Sequence, residues 1–136
     1  MFIVLWRKAV NRIHAIYLLA IMSSGKEGFK KVANKRDFEK NKLLRIEPDG
    51  KPIVLSMING QVYAMDAICT HEGGPLEEGN LQEYNLTCPW HYAVFDVRNG
   101  KVSDATVWAT DLKSYPVEVD ENSGDILLNP TGTANL

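Results

Sequence analysis

Short runs of β-branched and aromatic residues, cut at close intervals by pairs ending in glycine, direct this chain toward an antiparallel β-fold. LLRI (residues 43–46) runs into Pro48-Asp49-Gly50, and PIVLSMI (52–58) runs into Asn59-Gly60. QVYAMDAI (61–68) follows at once. AVFDV (93–97) meets Asn99-Gly100 before Lys101-Val102, and SYPVEVD (114–120) turns through Ser123-Gly124 into DILL (125–128). Asp-Gly and Asn-Gly accept the positive φ of a tight hairpin. The spacing predicts about eight short strands in an all-β, antiparallel sandwich or barrel. No internal repeat is present.

The 136 residues suffice for one domain with a modest core. With 45% hydrophobic and 24% charged residues, the composition is that of an ordinary soluble globular protein. A net charge of −2 points neither to nucleic acid nor to an anionic membrane. The charge is unevenly spread: residues 1–50 carry eleven basic and five acidic side chains, and residues 51–136 carry four and twelve. An acidic half of this kind can steer a basic partner.

Four segments are expected. Residues 1–22 are apolar but broken by Arg7, Lys8, Asn11, Arg12 and His14. The longest apolar run, 15–22, is far short of the roughly 20 residues of a spanning helix. The segment lacks a clear small-residue cleavage site, so it is read as an overlong start, with translation beginning at Met22. An amphipathic surface segment is the alternative. Residues 23–41 form a polar, Lys-rich entry arm with one short strand near 29–33. Residues 42–128 form the β-domain, and residues 129–136 a flexible tail.

The chemistry concentrates in two places. Cys69-x-His71 is followed, after sixteen residues, by Cys88-x-x-His91, and these are the only two cysteines. Gly73, Gly74 and Pro75 sit in the first segment and Pro89 in the second. Glycine lets a backbone wrap closely round a centre and proline stiffens it. Two cysteines could form one bridge, lie inert in a core, or bind metal, and a histidine within three residues of each favours metal. Two Cys and two His can hold zinc, although this order and spacing fit zinc fingers poorly.

The stretches CTHEGGPL (69–76) and CPWH (88–91) resemble, in order and spacing, the two ligand loops of the Rieske [2Fe–2S] family, over roughly residues 42–128. The resemblance implies a Rieske-like fold with a two-loop cluster-binding subdomain and one [2Fe–2S] cluster per chain. It implies that Cys69 and Cys88 hold one iron and His71 and His91 the other. With neutral imidazoles the oxidised centre is formally uncharged, so it accepts an electron more readily than a four-cysteine centre. Around these ligands, Pro75 and Trp90 are expected to pack over the centre and exclude water.

The family's high-potential members have a disulfide at the positions of Gly74 and Trp90, and serine and tyrosine hydroxyls at those of Ala93 and Phe95. None of these four residues can play that part. Loss of hydrogen bonds to the cluster sulfurs implies a potential at the low end of the Rieske range, on the order of −150 mV. Relatives also carry glycine where Tyr92 stands, and the local backbone is expected to deviate there.

The implied function is that of a low-potential Rieske-type ferredoxin. It would carry single electrons from a reductase, a flavoprotein, to an oxygenase or another redox enzyme, without substrate chemistry of its own. The alternative is a small Rieske subunit fixed in an oxygenase or nitrite-reductase-like complex. A membrane-complex subunit is disfavoured by the broken apolar run and the missing disulfide pair. Residues 92–136 show no second His/carboxylate set of the kind a terminal oxygenase needs. No nucleic-acid partner is expected, and a cytoplasmic location is.

Overall fold

The computed structural model describes residues 27–38 and 41–134. The reading of residues 1–22, with its start at Met22, lies outside the described residues.

Among the described residues, ten short strands form three antiparallel sheets. They are β1 (Lys30–Asn34), β2 (Leu43–Ile46), β3 (Ile53–Ile58), β4 (Gln61–Asp66), β5 (Asn80–Gln82), β6 (Asn85–Thr87), β7 (Val94–Asp96), β8 (Ser114–Tyr115), β9 (Val117–Val119) and β10 (Asp125–Leu128). The sheet orders are β1-β10-β9, β2-β3-β4-β8 and β5-β6-β7. The turns are where the glycine pairs stand. Asn59 and Gly60 both take positive φ (52° and 81°) between β3 and β4, as the tightest hairpin turns require. Asp49 and Gly50 do the same between β2 and β3 (54° and 77°).

The β3–β4 hairpin separates two cores. Cross-strand partners share a face, and Val54 pairs with Met65 while Leu55 pairs with Ala64. Val54 and Met65 point into a core shared with Ala67, Cys69, Leu76, Leu86, Cys88, Phe95 and Val97. Ile53, Leu55 and Ala64 point the other way, against Ala33, Phe38, Tyr115, Ile126 and Leu128. Strand β3 is therefore buried on both sides, in keeping with its apolar run, which only Ser56 interrupts.

Pro116 divides the alternating segment 114–120. It cannot donate to a ladder, and at this point the chain leaves β8 in the β2-β3-β4 sheet for β9 in the β10 sheet. The strand expected near 29–33 is β1, paired with β10. Its neighbourhood sets basic residues of the first part of the chain against acidic ones of the second, with Lys31 3.2 Å from Asp125 and Lys35 3.2 Å from Glu121. Some of the charge imbalance read from sequence is thus cancelled locally. The segment expected to be a flexible tail makes contacts as far as Ala134, whose N–H donates to the Ser114 carbonyl, and Lys51 Nζ donates to the Pro130 carbonyl. Among the described residues no helix is long and apolar enough to cross a membrane.

Ser56, 1% exposed on β3, has a hydroxyl without a hydrogen-bond partner. A buried hydroxyl in that state costs stability. Ser56→Ala is expected to leave the fold intact and to stabilise it by up to about 1 kcal/mol, seen as a thermal midpoint a few degrees higher in calorimetry.

Candidate metal centre

Each Cys-His segment folds into the same six-residue turn. In the first, Cys69 N–H donates to the Gly74 carbonyl (3.0 Å) and Gly73 N–H donates back to Cys69 (3.0 Å). In the second, Cys88 N–H donates to Ala93 (2.8 Å) and Tyr92 N–H donates to Cys88 (3.1 Å). The first turn leaves β4 and the second joins β6 to β7. Both turns need a left-handed residue four places after the cysteine. Gly73 supplies φ 76° in one and Tyr92 φ 63° in the other. The backbone deviation expected at Tyr92 is therefore absent. The closing hydrogen bonds dictate a left-handed residue there, and the tyrosine adopts it against its steric preference.

These turns sort the four side chains by polarity. Cys69 (3% exposed) and Cys88 (1%) lie in the apolar core beside Ala93 and Phe95, both fully buried. Both thiols are free. The imidazoles stand at the surface, with His71 28% and His91 48% exposed. Their ring centroids are 4.9 Å apart at 76°. The Glu72 carboxylate lies 2.6 Å from Nε2 of His91 and 4.0 Å from Nε2 of His71. Three more acids lie near in sequence, Glu77, Glu78 and Glu83: Glu77 is tied to Arg45 at 3.0 Å, and Glu83 occupies the β5–β6 turn, at the end of β6 away from Cys88.

A third segment closes the site and had no signal in the sequence. Residues 103–111 run past both turns and are fastened to each. Val94 N–H donates to Thr106 Oγ1 at 3.2 Å. Thr70 Oγ1 donates to the Thr110 carbonyl at 2.8 Å, and Thr110 N–H donates back at 2.9 Å. This strap carries Val107 and Trp108. Together with Ile68, Trp90 and Tyr92 they are the exposed large hydrophobic residues among those described. Trp90 and Tyr92 lie on the second turn, Ile68 directly precedes the first, and Val107 and Trp108 lie on the strap. Trp108 is a rim residue and Tyr115 a core residue, 45% and 4% exposed.

The flanking positions are as close-fitting as a ligand cradle requires. A Cβ on Gly74 would stand 2.5 Å from Cys88 Sγ and 3.4 Å from the Cβ of Trp90, so glycine leaves the sulfur its room. Positions 74 and 90 thus face each other, but neither carries a thiol. Pro75 bridges to Ile68 and is partly buried, while Trp90 leaves half its surface in solvent.

The donor set fits an iron–sulfur centre. Burial pushes the Cys69 thiol pKa up, with the Cys88 sulfur adding to the effect and the His71 N–H opposing it. Two thiols crowded in an apolar pocket become thiolates when a metal neutralises them. Nδ1 of His71 is buried without a hydrogen-bond partner, and its lone pair in the neutral imidazole is what a metal ligand would use.

The match to known proteins follows the same residues. The model of the Rieske [2Fe–2S] domain matches residues 28–116, and the chain belongs to that family. The ferredoxin component of the naphthalene 1,2-dioxygenase/salicylate 5-hydroxylase systems of Ralstonia sp is 33% identical over 84 residues, 62% of this chain and 80% of the relative. The ferredoxin of carbazole 1,9a-dioxygenase from Nocardioides aromaticivorans IC177 superposes with a TM-score of 0.70 at 25% identity, over 77% of this chain and all of that one. A chain from a complex of reduced oxygenase and oxidised ferredoxin of carbazole 1,9a-dioxygenase gives 0.69 at 25% identity, over 81% of this chain and all of that one. The cofactor is accordingly a Rieske-type [2Fe–2S] cluster. The role is one-electron transfer rather than catalysis on a substrate.

Two measurements check this description. Ala93→Ser with Phe95→Tyr would place hydroxyls in the fully buried wall beside Cys88, and the midpoint potential in voltammetry is expected to rise. Tyr92→Gly relieves a left-handed backbone at a side chain 72% exposed, so little packing is lost. It is expected to raise stability by about 1 kcal/mol in denaturant unfolding.

Proposed function

We propose that this chain is the electron shuttle of a multicomponent redox system, accepting one electron from a flavoprotein reductase and delivering it to an oxygenase or another redox enzyme. Cys69 and Cys88 would hold one iron of the cluster and His71 and His91 the other. When bound, it supplies a reversible one-electron couple. The rest of the work belongs to the protein. The inner wall of Ala93 and Phe95 keeps water from the thiolates and offers them no hydroxyl donor, which favours a low potential. The two imidazoles reach the surface between Trp90, Tyr92 and the strap, giving a partner an apolar rim to close over while it contacts a ring edge.

The observation that carries this reading is the sorting of the proposed ligands, buried sulfur and exposed nitrogen, with the exposed large hydrophobics among the described residues on or beside the two turns and on the strap. Relatives matched over 80% of their own length bear the names of ferredoxin components of dioxygenase systems, which favours an oxygenase as the acceptor. We place the carrier in the cytoplasm, on the two cysteines that stand free rather than bridged.

Stopped-flow mixing tests the proposal. A pre-reduced flavoprotein reductase of an aromatic-dioxygenase system is expected to bleach the visible absorption of the loaded protein. An oxidised Rieske oxygenase is expected to restore it, one electron per chain in each direction. Failure of both transfers, with native protein isolated only in fixed stoichiometry with another enzyme, would overturn the shuttle in favour of a permanent subunit.

A further inference from the structure

We propose that Glu72 is a positioning residue that holds the His91 ring and lowers the reduction potential of the centre. This rests on the ligand assignment given above. One carboxylate oxygen of Glu72 is 2.6 Å from Nε2 of His91, and the other is 4.0 Å from Nε2 of His71. A single anion therefore faces the outer edge of both imidazoles. Because Nδ1 of His71 is the buried, unpartnered nitrogen, the outer nitrogens are the ones left to meet the carboxylate.

Two effects follow. A histidine ligand commonly donates its second ring N–H to a carboxylate, which fixes the ring and makes it a stronger electron donor to the metal. At 2.6 Å the Glu72–His91 contact is a short, charge-assisted bond of this kind. The carboxylate also places a full negative charge beside a centre about to become more negative. Both effects stabilise the oxidised form and make the incoming electron less favourable. Together with the hydroxyl-free wall of Ala93 and Phe95, they act on the potential from opposite sides: the wall withholds donors from the sulfurs, and Glu72 adds charge at the nitrogens.

The geometry also explains why one residue can do this. Glu72 follows His71 directly, at the outer bend of the first turn. The hydrogen bonds that close both turns bring the second turn's His91 within its reach, and the strap pins the two turns together through Thr70 and Thr106. Glu72 is 57% exposed, so its replacement disturbs no core packing.

The test is the midpoint potential of cluster-loaded Glu72→Gln and Glu83→Gln proteins at neutral pH. Each variant removes one carboxylate charge, but Glu83 lies in the β5–β6 turn, at the end of β6 away from Cys88. Glu72→Gln is expected to favour the reduced form at least tenfold, about 59 mV for a one-electron couple. Glu83→Gln is expected to shift the same equilibrium less than threefold. An unchanged or lower midpoint in Glu72→Gln, or equal shifts in the two variants, would overturn the role of Glu72. The electron paramagnetic resonance of the reduced wild-type protein checks the ligand assignment separately. A low average g with an unmoved Glu72→Gln midpoint sinks this inference alone, whereas loss of that signal in the wild type sinks the assignment beneath it.

Discussion

The proposed centre has to hold two sulfurs in a dry interior and two imidazoles in water, and much of the architecture answers that demand. A thiolate in an apolar wall is stable only beside metal, and an imidazole edge can exchange electrons only where another molecule can reach it. Two copies of one six-residue turn resolve the conflict. Each begins at a cysteine that points inward and bends so that a histidine two or three places later points out. The β3–β4 hairpin supplies the inner wall through Val54 and Met65, while its other face serves an unrelated core.

That division makes the environment of the sulfurs and the environment of the nitrogens separately adjustable. Ala93, Phe95 and Gly74 are buried on the sulfur side, and Glu72, Tyr92 and the exposed Val107 and Trp108 of the strap lie at the surface. Changes on one side alter the energy of the electron. Changes on the other alter who can collect it, with Glu72 contributing to both because its charge lies at the boundary. The strained backbone of Tyr92 belongs to this outer group. An aromatic ring has been kept in a position that glycine would fill at lower cost, and it is the most exposed aromatic side chain among the described residues.

Legibility in the sequence followed the strength of local signals. The Asp-Gly and Asn-Gly pairs announced the β2–β3 and β3–β4 hairpins because their φ angles are locally determined. Strands β5 and β6 went unread. They are three residues each, and Asn80, Gln82, Glu83 and Asn85 make the stretch look like loop. Only Leu81 and Leu86, paired across the ladder and turned toward the core, make it a hairpin. The four residues proposed as ligands stood out in the sequence because metal chemistry restricts residue type and spacing together. Glu72 reaching His91 and Thr70 holding Thr110 were not, since contacts between residues 19 and 40 positions apart leave no local pattern. The turn at Tyr92 was misjudged for the opposite reason: side-chain preference was legible there, but the two closing hydrogen bonds overrode it.

The chain enters and leaves the metal half through neighbouring doors. Asp66 at the end of β4 receives the Lys113 N–H on its side chain and donates its own N–H to the Lys113 carbonyl. Residues 67–112, with both turns, the strap and the β5-β6-β7 sheet, are an excursion from one pair of adjacent points on the scaffold. An excursion rooted so narrowly asks of its base the spacing of two strands and the one face of the β3–β4 hairpin that Val54 and Met65 give to the shared core. Its far end, the β5–β6 turn, could therefore lengthen without redrawing the sheets that bear it.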